Sequence, residues 1–406
     1  MANWTLSLLA LSLIAGLARA STGTTTDCPA QLRATIPHPD SIHEVDSILS
    51  TCANIESLHL RIAETGCVGR TGRCSLPICF WRCTRYPSTL RSLSLEGYRF
   101  HDTAFDYADM PDWWWGEYMR WMESQDVWAW LKGLPSALFS SEGNSRTNLD
   151  LWLEAMDFSS IEKLSILGFN YGESPELLIK LLLPQVPKLQ SLTVGDAQMK
   201  EFVLAVPSNS LTHLTFIGPG HSQNLDLILQ AQGKSLTRLE WYTPENLWST
   251  RPLLSVAQLR NLSTAAPNLA SLALDLNRDE VDDDWPWDRL EALRAGMPSG
   301  LERLTVRFEM ASECLRQKRP VHYDWEEEPC TELEQYAQPL LTKESATKMA
   351  RFLVEGPNQR PQVLSRIAFV AGDKNFQDPD VEPTWLHGKG EDISCTALNG
   401  DVQCEG

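Results

Sequence analysis

The chain has 406 residues, with 35 lysines and arginines against 53 aspartates and glutamates, a formal net charge of −18 at pH 7. Such a surplus repels phosphate backbones and anionic lipid surfaces at long range, which argues against nucleic acid and membrane partners. With ten cysteines and no internal apolar run of membrane-spanning length, the composition points to an exported, cross-linked fold.

Residues 1–20 read as a secretory signal peptide. An apolar run from Leu6 to Leu17 precedes Ala18-Arg19-Ala20, the small-x-small pattern of a cleavage site before Ser21. The expected product is a soluble, secreted, extracellular chain with 34 basic and 53 acidic residues. All ten cysteines lie beyond that point: Cys28, Cys52, Cys67, Cys74, Cys79, Cys83, Cys314, Cys330, Cys395 and Cys404. An even count in an exported chain reads as a disulfide framework. Cys314 with Cys330 and Cys395 with Cys404 are the natural neighbour pairs. The connectivity of the N-terminal six stays open, and closure of Cys28 on Cys52 would stabilise by roughly 3 kcal/mol. The spacing Cys67-x6-Cys74-x4-Cys79-x3-Cys83 also suits a four-thiolate zinc site. An oxidising compartment favours disulfides there, so no metal or other cofactor is expected.

One pattern, apolar-x-x-apolar-x-apolar, recurs along the chain. It occurs at Ile55-Leu58-Leu60, Leu90-Leu93-Leu95, Ile161-Leu164-Ile166, Leu189-Leu192-Val194 and Leu211-Leu214-Phe216. It continues at Leu236-Leu239-Trp241, Leu269-Leu272-Leu274, Leu301-Leu304-Val306 and Leu364-Ile367-Phe369. The intervals are 35, 71, 28, 22, 25, 33, 32 and 63 residues, so the two long ones hold either a degenerate repeat or an insertion. Period-two alternation at the last two apolar positions predicts strands. Between them, Glu176–Leu182, Leu225–Leu229, Leu253–Leu262, Asp288–Arg294 and Ser345–Val354 read as helices. Alternating strands and helices imply a parallel sheet with crossovers, an α/β architecture.

The strand half, Leu-x-x-Leu-x-Leu, resembles the leucine-rich-repeat family over roughly residues 50–372. Uneven repeat lengths, and the scarcity of the Asn or Cys that follows in the family consensus, make it similar to fungal F-box-associated members. An export signal and a cysteine cluster stand where their F-box would lie. The resemblance implies an irregular solenoid, a curved parallel sheet with helices on its convex side, preceded by a disulfide-rich N-terminal region. The implied organisation is a signal peptide (1–20), a cysteine-rich cap with the first repeat (21–89) and a repeat with a Trp-rich insertion (90–160). A solenoid (161–375) and a disulfide-closed C-terminal tail (376–406) follow.

In such a stack the apolar positions fill one core, while positions three, five and seven of each motif face outward along the concave surface. The early rows are mostly Ser and Thr. The later ones supply residue types able to anchor a partner: Arg238, Glu240, Tyr242, Asp275, Arg303 and Arg307, taken as the ligand-binding candidates. Trp114, Trp121 and Trp128, within residues 112–131, fall on one helical face and suit a helix docked on the solenoid or, alternatively, a sugar-stacking platform. The acidic run 279–284 and Glu326-Glu327-Glu328 read as solvated loops lacking the spacing of a calcium site. Asn261-Leu262-Ser263 is a glycosylation sequon. No nucleophile elbow, His-Glu-x-x-His helix, phosphate loop or dinucleotide fingerprint occurs, so no catalytic residue is assigned. The expected function is noncatalytic binding of an extracellular protein or polysaccharide. The rivals are a secreted glycan hydrolase and an intracellular adaptor whose leader is misread.

Overall fold

A computed structural model describes residues 28–36, 42–62, 86, 90–98, 100, 147–168, 175–245, 251–278, 284–312, 314, 331, 336–355, 363–372, 391–398 and 401–406. The zinc-spaced cysteines, Cys330, the Trp-rich segment 112–131, residues 279–283 and 326–328, and the leader lie outside these residues. Twelve strands form one sheet in sequence order: β1 (Gln31–Ile36), β2 (Ser57–Ile62), β3 (Ser92–Glu96), β4 (Lys163–Leu167), β5 (Ser191–Gly195), β6 (His213–Ile217), β7 (Arg238–Tyr242), β8 (Ser271–Asp275), β9 (Arg303–Phe308), β10 (Arg366–Ala371), β11 (Glu391–Leu398) and β12 (Asp401–Glu405). The first ten are parallel, each paired with the next; β11 and β12 add antiparallel.

Every triplet found in the sequence enters or lies on one of the strands β2 to β10. The register aligns them without slip. Leu58, Leu93, Leu164, Leu192, Leu214, Leu239, Leu272, Leu304 and Ile367 form one buried column across the sheet. Leu60, Leu95, Ile166, Val194, Phe216, Trp241, Leu274, Val306 and Phe369 form the second. Each such Leu contributes about 1.5–3 kcal/mol by leaving water. Because β3 pairs directly with β4, and β9 with β10, the motifs on either side of each long interval are adjacent in the sheet.

Helices cover the face to which these columns point. Among the described residues they are α1 (Ile42–Thr51), α2 (Asn148–Ala155), α3 (Pro175–Leu177), α4 (Lys200–Ala205), α5 (Gln223–Gln232), α6 (Val256–Ala265), α7 (Trp287–Gly296) and α8 (Lys343–Val354). Their starts follow local chemistry. Thr147 caps α2 reciprocally with Asp150, and Ser255 caps α6 with Gln258, in each case satisfying two otherwise orphaned N–H groups. The helix expected over Glu176–Leu182 takes another course: after α3 it widens to a π-turn at Leu178–Leu182 and then tightens at Leu183–Gln185. Pro184 has no N–H to donate back along the helix, so regular α pairing cannot run through this segment. Leu225, Ile228, Leu259, Leu262, Leu290, Leu293, Met349 and Leu353 complete the core from the helix side.

The ends are closed differently from the repeats. Strand β1 pairs in register with β2, and the Cys28–Cys52 disulfide ties its entry to the end of α1. At the other end, within the stretch expected to be a disulfide-closed tail, β11 and β12 pair antiparallel, and Cys395 and Cys404 sit opposite one another and are bonded. Cys314 is also disulfide-bonded. Among the described residues no helix is long and apolar enough to cross a membrane.

Between neighbouring helices the packing leaves no room for side chains at two glycines. A Cβ on Gly296 would lie 1.9 Å from the Leu259 carbonyl oxygen of α6, and one on Gly233 would lie 2.1 Å from the Ala265 carbonyl. Gly296→Ala should therefore cost about 2 kcal/mol or more, because backbone must move to admit the methyl group. Urea denaturation would measure it, and a loss below about 0.5 kcal/mol would show that α6 and α7 are not so closely apposed.

Candidate binding face

Positions three, five and seven of each motif point away from the core and remain exposed or half-buried on most strands. Main-chain pairing makes this face regular. The carbonyl of the residue before each strand accepts two N–H groups from the next strand: Arg91 from Glu162 and Lys163, Thr212 from Thr237 and Arg238, Ala270 from Glu302 and Arg303. The sheet thus uses its own amides and carbonyls internally, and only side chains face outward. After several strands the chain turns through left-handed backbone, at Gly97, Gly168, Gly218 and Gly372, and at Asp196, whose carboxylate accepts from the Gln198 N–H.

The six sequence-derived candidates cluster on β7 to β9 but do not behave alike. Arg238 is exposed and bonds Glu240 on its own strand, its Nε 3.1 Å from Oε1. The Arg307 guanidinium lies 4.0 Å over the Tyr242 ring, so these two form one half-buried unit. Arg307 Nε has no hydrogen-bond partner among the described residues. Arg303 is exposed in the same register row as Arg238, with Ser271 of β8 between them.

Asp275, read from the sequence as facing solvent, is 4 % exposed. Its Oδ2 accepts from the Thr243 N–H at 2.6 Å, and its Oδ1 lies 3.4 Å from Arg251 Nη1. The cause is a buried polar cluster at the carboxyl ends of β7, β8 and β9. Arg251 reaches Glu245, Asp275 and Glu309 within 3.4 to 4.0 Å, with all four side chains at most 5 % exposed. Glu309 also accepts from the Arg251 N–H at 2.7 Å and from Asn277 Nδ2 at 2.7 Å, while Glu245 accepts from the Met310 N–H at 2.7 Å. Arg278 donates to the Pro339 carbonyl at 2.7 Å and to that of Glu309, and its guanidinium packs over Trp285. Burial lowers the Arg278 pKa to about 10, against the pull of Glu245 and Glu309 in the other direction, so it stays charged at neutral pH. This buried cluster ties the carboxyl ends of the three strands together.

Sequence reading singled out neither the cluster nor one extended row. Lys163, His213, Arg238, Arg303 and Arg366 all occupy position three of their motifs and all are exposed. Aligning the motifs by that one column would have found them. The His213 pKa is lowered first by burial and then by Arg238, Lys163 and Arg303, which marks the row as electropositive. Elsewhere on the sheet, His59 Nδ1 lies 2.9 Å from Ser94 Oγ, and Arg61 pairs with Glu96 at 3.2 Å. Asn261 is exposed on α6, on the helix side. Among the described residues no group of three or more His, Cys, Asp or Glu side chains could hold a metal.

No family model and no curated protein matches the chain. Among solved structures, the chain is similar to the leucine-rich repeat-containing protein LegL7 from Legionella pneumophila, at 16 % identity and a TM-score of 0.27. The match covers 42 % of this chain and 54 % of that one, about half its length, and so slight a likeness carries no argument here.

Replacing Arg251 by Met would strand Glu245, Asp275 and Glu309 in the interior with Arg278 as the remaining cation. Stability should fall by about 3–5 kcal/mol. A loss of less than about 1 kcal/mol in urea unfolding would mean that Arg251 does not hold the strand ends.

Proposed function

We propose that this chain is an irregular leucine-rich-repeat solenoid, secreted and noncatalytic, that binds an extracellular protein or polysaccharide through the outward, concave face of its sheet. One observation carries the reading: nine successive motifs pair in parallel and in register, so their outward side chains form continuous rows on a rigid support. Rows fixed in advance lose little entropy on binding, so modest contacts suffice when repeated. Disulfides at both ends suit export to an oxidising compartment, and the leader-like sequence gives the route.

On this reading the ligand contacts β7 and β9, where exposed Arg303 and the stacked Tyr242–Arg307 unit offer anchors. The test is a pull-down with the mature chain, followed by titration of the recovered ligand against variants. Tyr242→Ala combined with Arg303→Ala should weaken binding roughly tenfold or more, whereas Arg260→Ala on the helix side should leave it unchanged. Full binding by the double variant, with loss in the helix-side variant, would place the ligand on the opposite surface.

A further inference from the structure

The register gathers cations that the sequence scatters over two hundred residues. From β4 to β10 the first outward row reads Lys163, Ser191, His213, Arg238, Ser271, Arg303, Arg366. At about 4.8 Å between strands, this row spans about 29 Å across the seven strands. It stands in a chain whose formal net charge is −18, so it is a local reversal of the molecule's field. Glu240 neutralises part of Arg238. Among the described residues no carboxylate pairs with Lys163, Arg303 or Arg366. Aligning like charges without partners weakens the fold slightly, and an anion laid along the ridge would relieve it.

The neighbouring row is of a different kind. Ser165, Thr193, Thr215 and Thr305 stand at its positions on β4, β5, β6 and β9, half-buried and short; Glu240, bonded to Arg238, interrupts them on β7, and Ala273 and Ala368 fill the row on β8 and β10. Beside the cations, then, runs a low track of hydroxyls that both donate and accept hydrogen bonds. From these two rows we infer that the face binds a linear anionic polysaccharide, carboxylated or sulfated, lying across the strands with its acid groups on the basic ridge and its hydroxyls on the Ser/Thr track.

Other polyanions match less of what the two rows offer. An extended acidic peptide gains most from main-chain ladder bonds or apolar pockets, but the sheet's amides and carbonyls are already paired with each other. A single-stranded nucleic acid gains most from stacking on successive large aromatic rings, and neither row carries a Phe, Tyr or Trp, His213 being their one imidazole. A polyhydroxylated chain of repeating charge needs what these rows present: cations at fixed intervals and small hydroxyls alongside. The inference rests on the strand face being the binding surface and adds the ligand class.

The experiment titrates the full chain, by calorimetry at low and moderate salt, with polygalacturonate as the carboxylated probe, heparin as the sulfated one and dextran as the neutral one. Poly-aspartate and a single-stranded DNA oligomer are the other polyanions. Lys163→Ala, Arg303→Ala and Arg366→Ala are combined in one variant. Lys180→Ala, Arg260→Ala and Arg351→Ala, exposed on the helix side, form a control of equal charge. The expected result is salt-weakened binding of polygalacturonate, heparin or both, no binding of dextran, and a loss of roughly tenfold or more in the ridge variant alone. Which of the two polymers binds distinguishes carboxylate from sulfate. Binding of poly-aspartate or DNA without either polysaccharide, or of no polyanion, overturns the inference. If that poly-aspartate or DNA binding is lost in the ridge variant, the face reading survives its failure. If a polysaccharide binds but only the helix-side control loses it, the inference and the face reading fall together.

Discussion

Everything in this molecule depends on each parallel strand pairing in register with the strand of the next motif. At each junction one carbonyl just ahead of the strand accepts two N–H groups from its neighbour, from Ala30 with Glu56 and Ser57 to Glu302 with Ser365 and Arg366. That repeated bond fixes where each motif starts. A slip of one residue would turn every Leu of a strand outward and every Ser, Thr or Arg inward, so burial of the two Leu columns and the main-chain ladder enforce the same alignment.

Two consequences follow from so strict a pairing. Length between motifs becomes almost free, because the ladder constrains only the strand and its entry; a 71-residue interval and a 22-residue one lead to the same one-strand step. The lateral order of outward side chains is likewise set by motif position alone, so a column of chemistry can be assembled from residues far apart in the chain. Where the core stops, at the carboxyl ends of β7 to β9, backbone amides at Thr243, Arg251 and Met310 need acceptors. Asp275, Glu309 and Glu245 supply them, with Arg251 and Arg278 balancing most of the charge. Buried carboxylates there are the cost of closing a strand end without water.

The repeat was legible in the sequence because its signal is local: three apolar residues in six. So were helices α5 to α8, through amphipathic runs such as that of α6, and the Cys395–Cys404 pair, through proximity. What escaped depends on distant partners or on weak residues. Strand β1 places Ala34 where others place a large side chain and Pro29 where others place the entry Leu, so its pattern falls below notice although Leu32 and Ile36 are buried. Strands β11 and β12 pair antiparallel and carry no triplet. Asp275 was misjudged because strand periodicity places it outward, while Arg251, from the preceding connection, covers it. Gln232 gave no hint either: wholly buried, it donates to the Val206 and Pro207 carbonyls and accepts from Ser210 and Leu211, joining α5 to the turn after α4.

The claim under all of this is that motifs separated by long insertions are still immediate neighbours. Cysteine pairs on the outward face test it, because directly opposed residues of adjacent parallel strands are close enough to bond and residues two strands apart are not. Mild oxidation of the Ser94→Cys/Ser165→Cys and Thr305→Cys/Ala368→Cys chains, mapped by mass spectrometry, should give both new disulfides, while Ser94→Cys/Thr193→Cys should give none. Failure of the first two pairs, or cross-linking of the third, would contradict a single uninterrupted ladder.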